Sequence, residues 1–561
     1  MVPILRETSI DHYLGTNYVP NDAEIQELKR CVSEQLQRLQ AIEDETALLE
    51  LRLQHLHTER ADIRASTAGH LALLSPMRHL PIDILREIFI ACLPENRNPT
   101  LCSDESPMLL TRICSYWRNV ALTTPRLWAA LHIPIPQPEY MLAFPEQDPV
   151  QLEMAAQRRC IGVKEFLSRS GSLPLKIDTY FRKDRNEAYT HATPLLECII
   201  QLAARWRDVA FLGPSTSLSQ IREIQSDLPQ LRSLQLNISR SDAEPPIVSW
   251  KDSKLFKSEG LHSFSITSPH GDVMDFPLRW SQLTDLTLKG NDWLPMSSLK
   301  SIDVHRILRM SPALVSFKLG IKHQDFDIHT TFPPVSLRYL KNLTIEEERQ
   351  WPQFFASFDV PSLKSLNYFL SASRTSDHHS LLALLSKHSN ANKLEELHTN
   401  PHIFDFRELV DILSYCGALQ LIALRDYSYH GSGYWNQPSE TNNPINDALL
   451  QFLAPRKDQL CPMLEKLIIT TRSTISDPGL LAFISDKQSI EKINESNKLK
   501  SVNIVFHRRR TRDIIPDLSA FITLGLKVRI RYPPTTLRGQ FSLYDGLPYD
   551  VEQNSYNRLW M

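Results

Sequence analysis

Few residues in this chain have the types and spacing that suit catalysis or metal binding. The phrase HQDFDIH at 323–329 alternates His and Asp, so on a strand it would place four metal-ligand types on one face. However, Leu319 ends one apolar phrase and Leu340 begins the next. We therefore favour a polar loop between repeats over a metal site.

The usual catalytic and cofactor motifs are missing from the sequence. It contains no GxGxxG or GxxxxGK phosphate loop and no G-x-S-x-G elbow. Its eight cysteines include no C-x-x-C pair, which excludes the usual zinc spacings and a disulfide framework. The sequence therefore predicts no catalytic residue, no metal ligand and no cofactor.

Two further segments carry unusual side chains. GSGYW (431–435) follows Tyr427 and Tyr429, which suits either an aromatic ligand-contact loop or a long insertion between repeats. The basic run HRRRTR (507–512) suits a nuclear import signal, a phosphate contact or a solvated loop. We favour the insertion for the first segment and the solvated loop for the second.

Composition indicates a soluble chain inside the cell. The chain has 561 residues and a net charge of −2, which argues against a dedicated nucleic-acid or membrane-surface protein. It contains no run of 18 apolar residues, and Met1–Ile10 lacks the pattern of a secretory signal. Scattered, unpaired cysteines are typical of a reducing compartment. We expect a location in the cytoplasm, the nucleus or both.

A short leucine phrase organises the larger part of the chain. Leu-x-x-Leu-x-Leu, or a close variant, occurs ten times from Leu231 to Ile504, with helical stretches between the copies. A strand that points alternate residues inward, followed by a covering helix, is one turn of a leucine-rich-repeat solenoid. Residues 160–180 and 193–211 have the same helix-then-strand order and are interpreted as degenerate first units.

The repeats are irregular. Successive phrases start 22 to 45 residues apart, whereas regular repeats are about 20–29 residues long. A doubly wound α/β sheet is the alternative fold, but its strands would be near-continuous runs of Val and Ile. We therefore predict the α/β class, with a long N-terminal helix and an irregular leucine-rich-repeat solenoid.

The stretch from Leu80 to Trp128 predicts a docking module. Both LPIDILREIF (80–89) and LLTRICSYWRNVALTTPRLW (109–128) have apolar residues at helical spacing. About fifty residues cannot bury so many large hydrophobes internally, because small units have too much surface for their volume. An apolar face left over on such a unit is normally a partner site.

These two phrases resemble the F-box. The first half of the family pattern is present at Leu80, Pro81, Asp83, Ile84, Leu85, Ile88 and Phe89. The second half is present at Ile113, Cys114, Trp117, Arg118, Pro125, Leu127 and Trp128. Residues 90–108 form a longer connection than the compact F-box has, as in the extended F-box-like variant of large fungal families. The alternative is a helical subdomain of a larger core.

The resemblance implies a three-helix module that binds a Skp-type adaptor and, through it, a cullin and RING ubiquitin ligase. The solenoid would then hold an unidentified target protein, and catalysis would belong to the partners. The alternative functions are a ligase-independent interaction scaffold and an enzyme hidden in residues 132–561. The candidates for the adaptor contact or its supporting core are Leu80, Pro81, Ile84, Leu85, Ile88, Phe89, Ile113, Trp117, Leu127 and Trp128.

A heptad pattern precedes this module. With Ile25 as position a, nine of twelve a and d positions between residues 22 and 65 are apolar, without Pro or Gly. Such a run supports either self-association as a coiled coil or a long helix folded back on the same chain. Asn21 and Asp22 suit the start of the helix and Gly69 suits its end.

The predicted organisation has six parts. They are a mobile N-terminus (1–21), a coiled-coil-like helix (22–68), an F-box-like domain (76–131) with its insert (90–108), a Pro-rich linker (132–149), the repeat array (150–540) and a C-terminal tail (541–561).

Overall fold

The structure is a computed structural model of the α/β class. It describes residues 15–74, 76–134, 149–180, 193–214, 218–239, 250–267, 273–290, 299–321, 331–348, 350–370, 380–387, 393–425, 443–455, 460–488 and 498–532. The chain divides into two compact units, Met1–Ile88 and Phe89–Met561. This division falls inside the predicted F-box-like domain (76–131).

The first unit contains one very long helix, α1, which spans Asp22–Leu73. Asn21 begins it, because its side chain accepts hydrogen bonds from the backbone N–H groups of Ala23 and Glu24. The Glu24 carboxylate accepts from the Asn21 N–H in return. The helix continues through Gly69, so the predicted end at residue 68 was too early. A glycine inside a helix costs only about 1 kcal/mol relative to alanine.

Three short helices and a turn follow in the F-box-like segment. Helix α2 spans Ile82–Ala91, α3 spans Leu110–Ile113 and α4 spans Ser115–Leu122. A 3₁₀ turn at Pro125–Trp128 then leads into the first strand. The sequence pattern predicted helices in both phrases, and the structure has them there.

The second unit is built on a parallel sheet of fourteen strands, and a small two-stranded sheet pairs β8 with β10. The strands are β1 (Ala130–Pro134), β2 (Leu175–Tyr180), β3 (Trp206–Pro214), β4 (Ser233–Ser239), β5 (Ser263–Thr267), β6 (Asp285–Lys289), β7 (Ser316–Ile321), β8 (Val335–Ser336), β9 (Asn342–Glu347), β10 (Phe358–Asp359), β11 (Ser365–Leu370), β12 (Glu396–Thr399), β13 (Leu421–Leu424), β14 (Lys466–Ile469), β15 (Ser501–Val505) and β16 (Lys527–Arg531).

Helices lie between many of these strands, as crossover connections between parallel strands require. They are α5 (Pro149–Ser168), α6 (Thr193–Ile200), α7 (Ser219–Arg222), α8 (Ser301–Met310), α9 (Pro352–Ala356), α10 (Ser380–Leu385), α11 (Phe406–Tyr415), α12 (Asp447–Leu453), α13 (Asp477–Gln488) and α14 (Ser519–Thr523).

Each of the ten leucine phrases forms a strand of the large sheet. In β6, Leu286 and Leu288 are buried while Thr287 between them is half-buried, so one face of the sheet is covered. The strands of the large sheet are neighbours in chain order throughout. This order differs from the doubly wound alternative, in which the strand order reverses at a switch point.

The sheet begins earlier than the sequence indicated. Strand β1 pairs in parallel with β2, so residues 132–134 of the predicted linker (132–149) are strand residues. The sheet starts at Ala130 rather than within the predicted array (150–540). Residues 135–148, most of the predicted N-terminus and the predicted tail (541–561) lie outside the described residues.

Candidate interaction surfaces

The ten F-box-like candidates fall into three groups according to burial. Four are fully buried, namely Leu85, Phe89, Leu127 and Trp128. Three are half-buried, namely Leu80, Ile88 and Trp117. Three are exposed, namely Pro81, Ile84 and Ile113. The structure thus separates supporting side chains from surface side chains, which the sequence pattern did not do.

The buried aromatic residues hold the second phrase in place. The Phe89 and Trp117 rings lie 4.9 Å apart. The indole N–H of Trp128 donates a 2.8 Å hydrogen bond to the carbonyl of Ala121, so its polar atom is satisfied in the core. The same indole meets Phe166 of α5 edge-on at 4.8 Å. Trp128 therefore contacts both α4 and α5.

The exposed apolar residues lie on short helices. Ile84 on α2 is 51% exposed. On the second phrase, Ile113 is 55% exposed, and the neighbouring Tyr116 is also exposed. Isolated apolar residues on a surface are ordinary, but Ile84 and Ile113 occupy positions of the F-box pattern.

The insert (90–108) contacts the sheet and is not simply a surface loop. The carbonyl of Pro99 accepts a 2.8 Å hydrogen bond from the N–H of His132 in β1. Pro99 itself is buried. The Asn98 side chain donates a hydrogen bond to the carboxylate of Asp178 in β2. The insert therefore lies along the outer edge of the first strand.

A groove of about 970 Å³ lies beside this insert and strands β1 to β3. Its lining includes His132, whose Nδ1 hydrogen-bonds the Asp178 carboxylate. A His–Asp pair can orient a general base. Within the described residues, however, no hydroxyl or thiol hydrogen-bonds the other ring nitrogen of His132.

One face of the large sheet, called here the open face, carries half-buried or exposed side chains among the described residues and is mainly polar. Because neighbouring strands pair in register, residues at equivalent positions form continuous rows across the strands. From β4 to β11 the middle row runs through Gln235, Ser265, Thr287, Lys318, Thr344 and Asn367. Short polar side chains of this kind offer many hydrogen-bond donors and acceptors to a protein surface.

An ion-pair cluster crosses the open face. The Glu346 carboxylate lies 2.9 Å from Lys289 Nζ and 2.8 Å from Lys318 Nζ. Burial alone would raise the pKa of Glu346, but the two ammonium groups outweigh it and hold that pKa below its usual value. Gly320 lies between Lys289 and Glu346 in the same row. A Cβ atom on Gly320 would come within 2.8 Å of Lys289 Cγ. The glycine therefore leaves room for the Lys289 side chain to reach Glu346 across the strand between them.

The basic run (507–512) is partly an intramolecular anchor. The Arg508 guanidinium pairs at 2.5 Å with Asp477, a fully buried residue at the start of α13. Asp477 also accepts hydrogen bonds from the Thr511 hydroxyl and from Tyr532. Burial would raise the pKa of Asp477, yet these partners together hold it far below its ordinary value. The solvated-loop interpretation is therefore wrong for Arg508, whereas Arg509 is exposed.

A second buried carboxyl group lies at the end of β9. Glu347 accepts a hydrogen bond from the Tyr368 hydroxyl. Burial raises the pKa of Glu347 to about 8, despite hydrogen bonds from Tyr368, Ser380 and the Trp351 backbone. The group is enclosed by the core, so its altered pKa indicates a structural role.

The sequence did not reveal either of these buried carboxyl groups. Asp477 follows β14 and Arg508 follows β15, so both side chains leave neighbouring parallel strands at the same edge. An acidic residue after one leucine phrase and a basic residue after the next could have predicted the ion pair between Asp477 and Arg508. Glu347 gave no such signal, because its side-chain partners Tyr368 and Ser380 belong to later elements of the chain.

Two segments of interest, HQDFDIH (323–329) and GSGYW (431–435), lie outside the described residues. Across the part of the chain that the structure does describe, no cluster of three or more His, Cys, Asp or Glu residues could hold a metal ion. No helix in that part is long and apolar enough to cross a membrane.

Comparisons with known proteins do not assign a family. No protein-family model matches the sequence, and no curated protein matches it. Among solved structures, the chain is similar to a structural-genomics target from Bacteroides fragilis, with a sequence identity of 12% and a TM-score of 0.26. The match covers 69% of this chain and 84% of that chain. A likeness that weak carries no conclusion about fold or function.

Proposed function

We propose that this chain is the substrate-recognition subunit of a Skp/cullin/F-box-type ubiquitin ligase. In this proposal the segment Leu80–Trp128 binds the adaptor, and an irregular leucine-rich-repeat solenoid binds the target protein. The chain is not an enzyme itself and uses no cofactor, because its partners supply the chemistry and it supplies proximity. The proposal includes an intracellular location, where such ligases operate.

The observation that carries this proposal is how burial divides the residues of the F-box pattern. Leu85, Phe89 and Trp128 are fully buried, whereas Ile84 and Ile113 are about half exposed. A docking segment needs both classes, since a folded core must present apolar side chains to the partner. The pattern therefore supplies buried support and apolar contact residues in one segment.

The open face supports the second half of the proposal. Ten leucine phrases form consecutive parallel strands whose described side chains on the open face are half-buried or exposed and mainly polar. Repeat proteins use extended surfaces of this kind to bind other proteins. A standard interface needs roughly 800 Å² per partner, and a face of fourteen strands can supply it.

The test is co-purification of a Skp-type adaptor with the full chain. We expect the double substitution Ile84→Asp and Ile113→Asp to abolish adaptor recovery, because charges would replace exposed apolar contacts. Ile302→Asp is the control, since Ile302 on α8 is an isoleucine at least as exposed as Ile84 and Ile113. Leu85→Asp is less informative because Leu85 is fully buried and the change would disrupt the core.

Undiminished adaptor binding by the folded double variant would show that the docking assignment is wrong. A wild-type pull-down that contains neither adaptor nor cullin would favour the alternative, a ligase-independent scaffold that uses α1 and the repeats.

A further inference from the structure

The apolar seam of α1 is exposed along most of its length. Seven a and d residues between Val32 and Ile63 are 48% to 60% exposed in the single chain. They are Val32, Leu39, Ile42, Leu49, Leu53, Leu56 and Ile63. Apolar residues that repeat every 3.5 positions are characteristic of a helix that packs against another helix of the same periodicity.

The flanking charges suit a second copy of the same helix in parallel orientation. In a parallel, in-register pair, each g residue faces the e residue five positions later on the other copy. Three of these pairs are attractive and one, Glu45 with Glu50, is repulsive. The attractive pairs join Glu24 to Lys29, Arg38 to Glu43 and Glu59 to Arg64.

The antiparallel arrangement with the same seam is much less favourable. Matching every a residue to a d residue places Glu43 opposite Glu43 and Glu45 opposite Glu45 of the second copy. It also places Arg38 opposite Arg52. Like charges facing one another disfavour that pairing.

Two of the three polar residues of the seam, Gln35 and Thr46, also favour the parallel pair, whereas Arg60 faces Arg60 in the parallel pair and Leu28 in the antiparallel pair. A parallel, in-register pair places Gln35 beside Gln35 and Thr46 beside Thr46, whereas the antiparallel pair places them beside Leu53 and Ile42. Two facing glutamines can hydrogen-bond each other, whereas a glutamine that faces leucine finds no hydrogen-bond partner on the second copy. The Thr46 hydroxyl already donates to the Ile42 carbonyl at 2.8 Å, so its burial leaves no unmet donor.

From these observations we infer that α1 forms a parallel, in-register, two-stranded coiled coil with a second copy of this chain. The contact runs from Ile25 to Ile63 and makes the protein a homodimer. It is independent of adaptor binding, so it stands or fails separately from the proposed ligase function.

Charge exchange in the full chain tests both the dimer and its orientation. The g variant carries Arg38→Glu and Glu59→Arg, and the e variant carries Glu43→Arg and Arg64→Glu. We expect wild type to sediment as a dimer, and each variant alone to dimerise roughly tenfold more weakly or worse, since several exposed pairs change sign. Mixing the two variants restores four attractive pairs and recovers wild-type affinity as a heterodimer.

A seam variant supplies the matched control. Leu39→Asp with Leu49→Asp places charges at a and d and yields a monomer. Leu48→Asp with Leu51→Asp changes two leucines that are more exposed but lie off the seam, and this variant remains dimeric. Circular dichroism of each protein verifies that the helix persists.

Three outcomes would overturn the inference. They are a monomeric wild type at high protein concentration, equal association by the seam and off-seam variants, and tighter self-association of the g variant. The last result would indicate an antiparallel pair, because Arg38→Glu would then place an acidic group opposite Arg52 of the second copy.

Discussion

Glu347 is a fully enclosed carboxyl group, and its surroundings keep it protonated near neutral pH. Its pKa is raised from 4.5 to about 8 by burial. Between these values the folded state holds a proton that the unfolded state releases, so stability falls as pH rises. The contribution is fully present below about pH 4.5 and is lost as pH passes through about 8.

We expect Glu347→Gln to remove this pH dependence. Glutamine can still accept the hydrogen bond from Tyr368 and cannot ionise. The stability difference between variant and wild type should grow in favour of the variant by up to about 1.4 kcal/mol per pH unit between about pH 5 and 8. Urea unfolding at several pH values measures it. A difference that stays constant across this range would contradict the assignment.

Single residues also mark the limit of prediction from sequence. The pattern identified Leu85, Ile84 and Trp128 as members of one motif, but all three are large apolar residues. Which of them is buried depends on what the fold brings against each side chain. Trp128, for example, is covered by Phe166 from a helix that begins 21 positions later in the sequence.

At the scale of elements, the ion pair between Arg508 and Asp477 connects the segment after β15 with the start of α13. The guanidinium also lies 4.3 Å above the Phe506 ring, which adds a cation–π contact. Asp477 is fully buried, so losing Arg508 leaves a buried charge short of its main counter-ion.

Arg508→Met should therefore destabilise the protein by about 3–5 kcal/mol. Arg509→Met, the matched control from the same basic run, should change stability by less than about 0.5 kcal/mol, because Arg509 is exposed. Thermal unfolding monitored by circular dichroism compares the two variants. Equal effects would mean that the run acts only through its overall charge.

Helices and strands with a clear hydrophobic periodicity could be predicted from the sequence. The residues at which they begin and end could not. The ten leucine phrases located ten strands because alternation and the phrase itself specify a strand with one buried face. The end of α1 was misplaced because the penalty for Gly69 is small against a long helix. The start of the sheet was missed because β1 (Ala130–Pro134) carries no leucine phrase and follows the F-box pattern directly.

At the scale of the whole molecule, the segment that resembles the F-box and the fourteen-stranded sheet share structure. Leu127, Trp128, Leu131 and Ile133 are all fully buried, and β1 pairs with β2. The predicted border between residues 131 and 132 therefore runs through a strand.

Removing the chain up to residue 134 should destabilise the rest of the large parallel sheet. Each fully buried apolar side chain contributes about 1.5–3 kcal/mol, so a fragment of residues 135–561 should be less stable than 76–561 by several kcal/mol. Scanning calorimetry and size-exclusion chromatography compare the fragments. Equal melting temperatures would show that the segment is an independent module.

The contact of the insert with β1 protects the edge of the sheet against pairing with a strand of another copy. A sheet built in chain order has two ends, and an unprotected strand edge invites pairing with another chain and then aggregation. Pro99 occupies the outer edge of β1 and has no N–H to extend the ladder. The last strand, β16, presents Lys527, Arg529 and Arg531, whose charges repel a second copy. Among the residues that the structure describes, neither end of the sheet is thus a ready template for pairing with another chain.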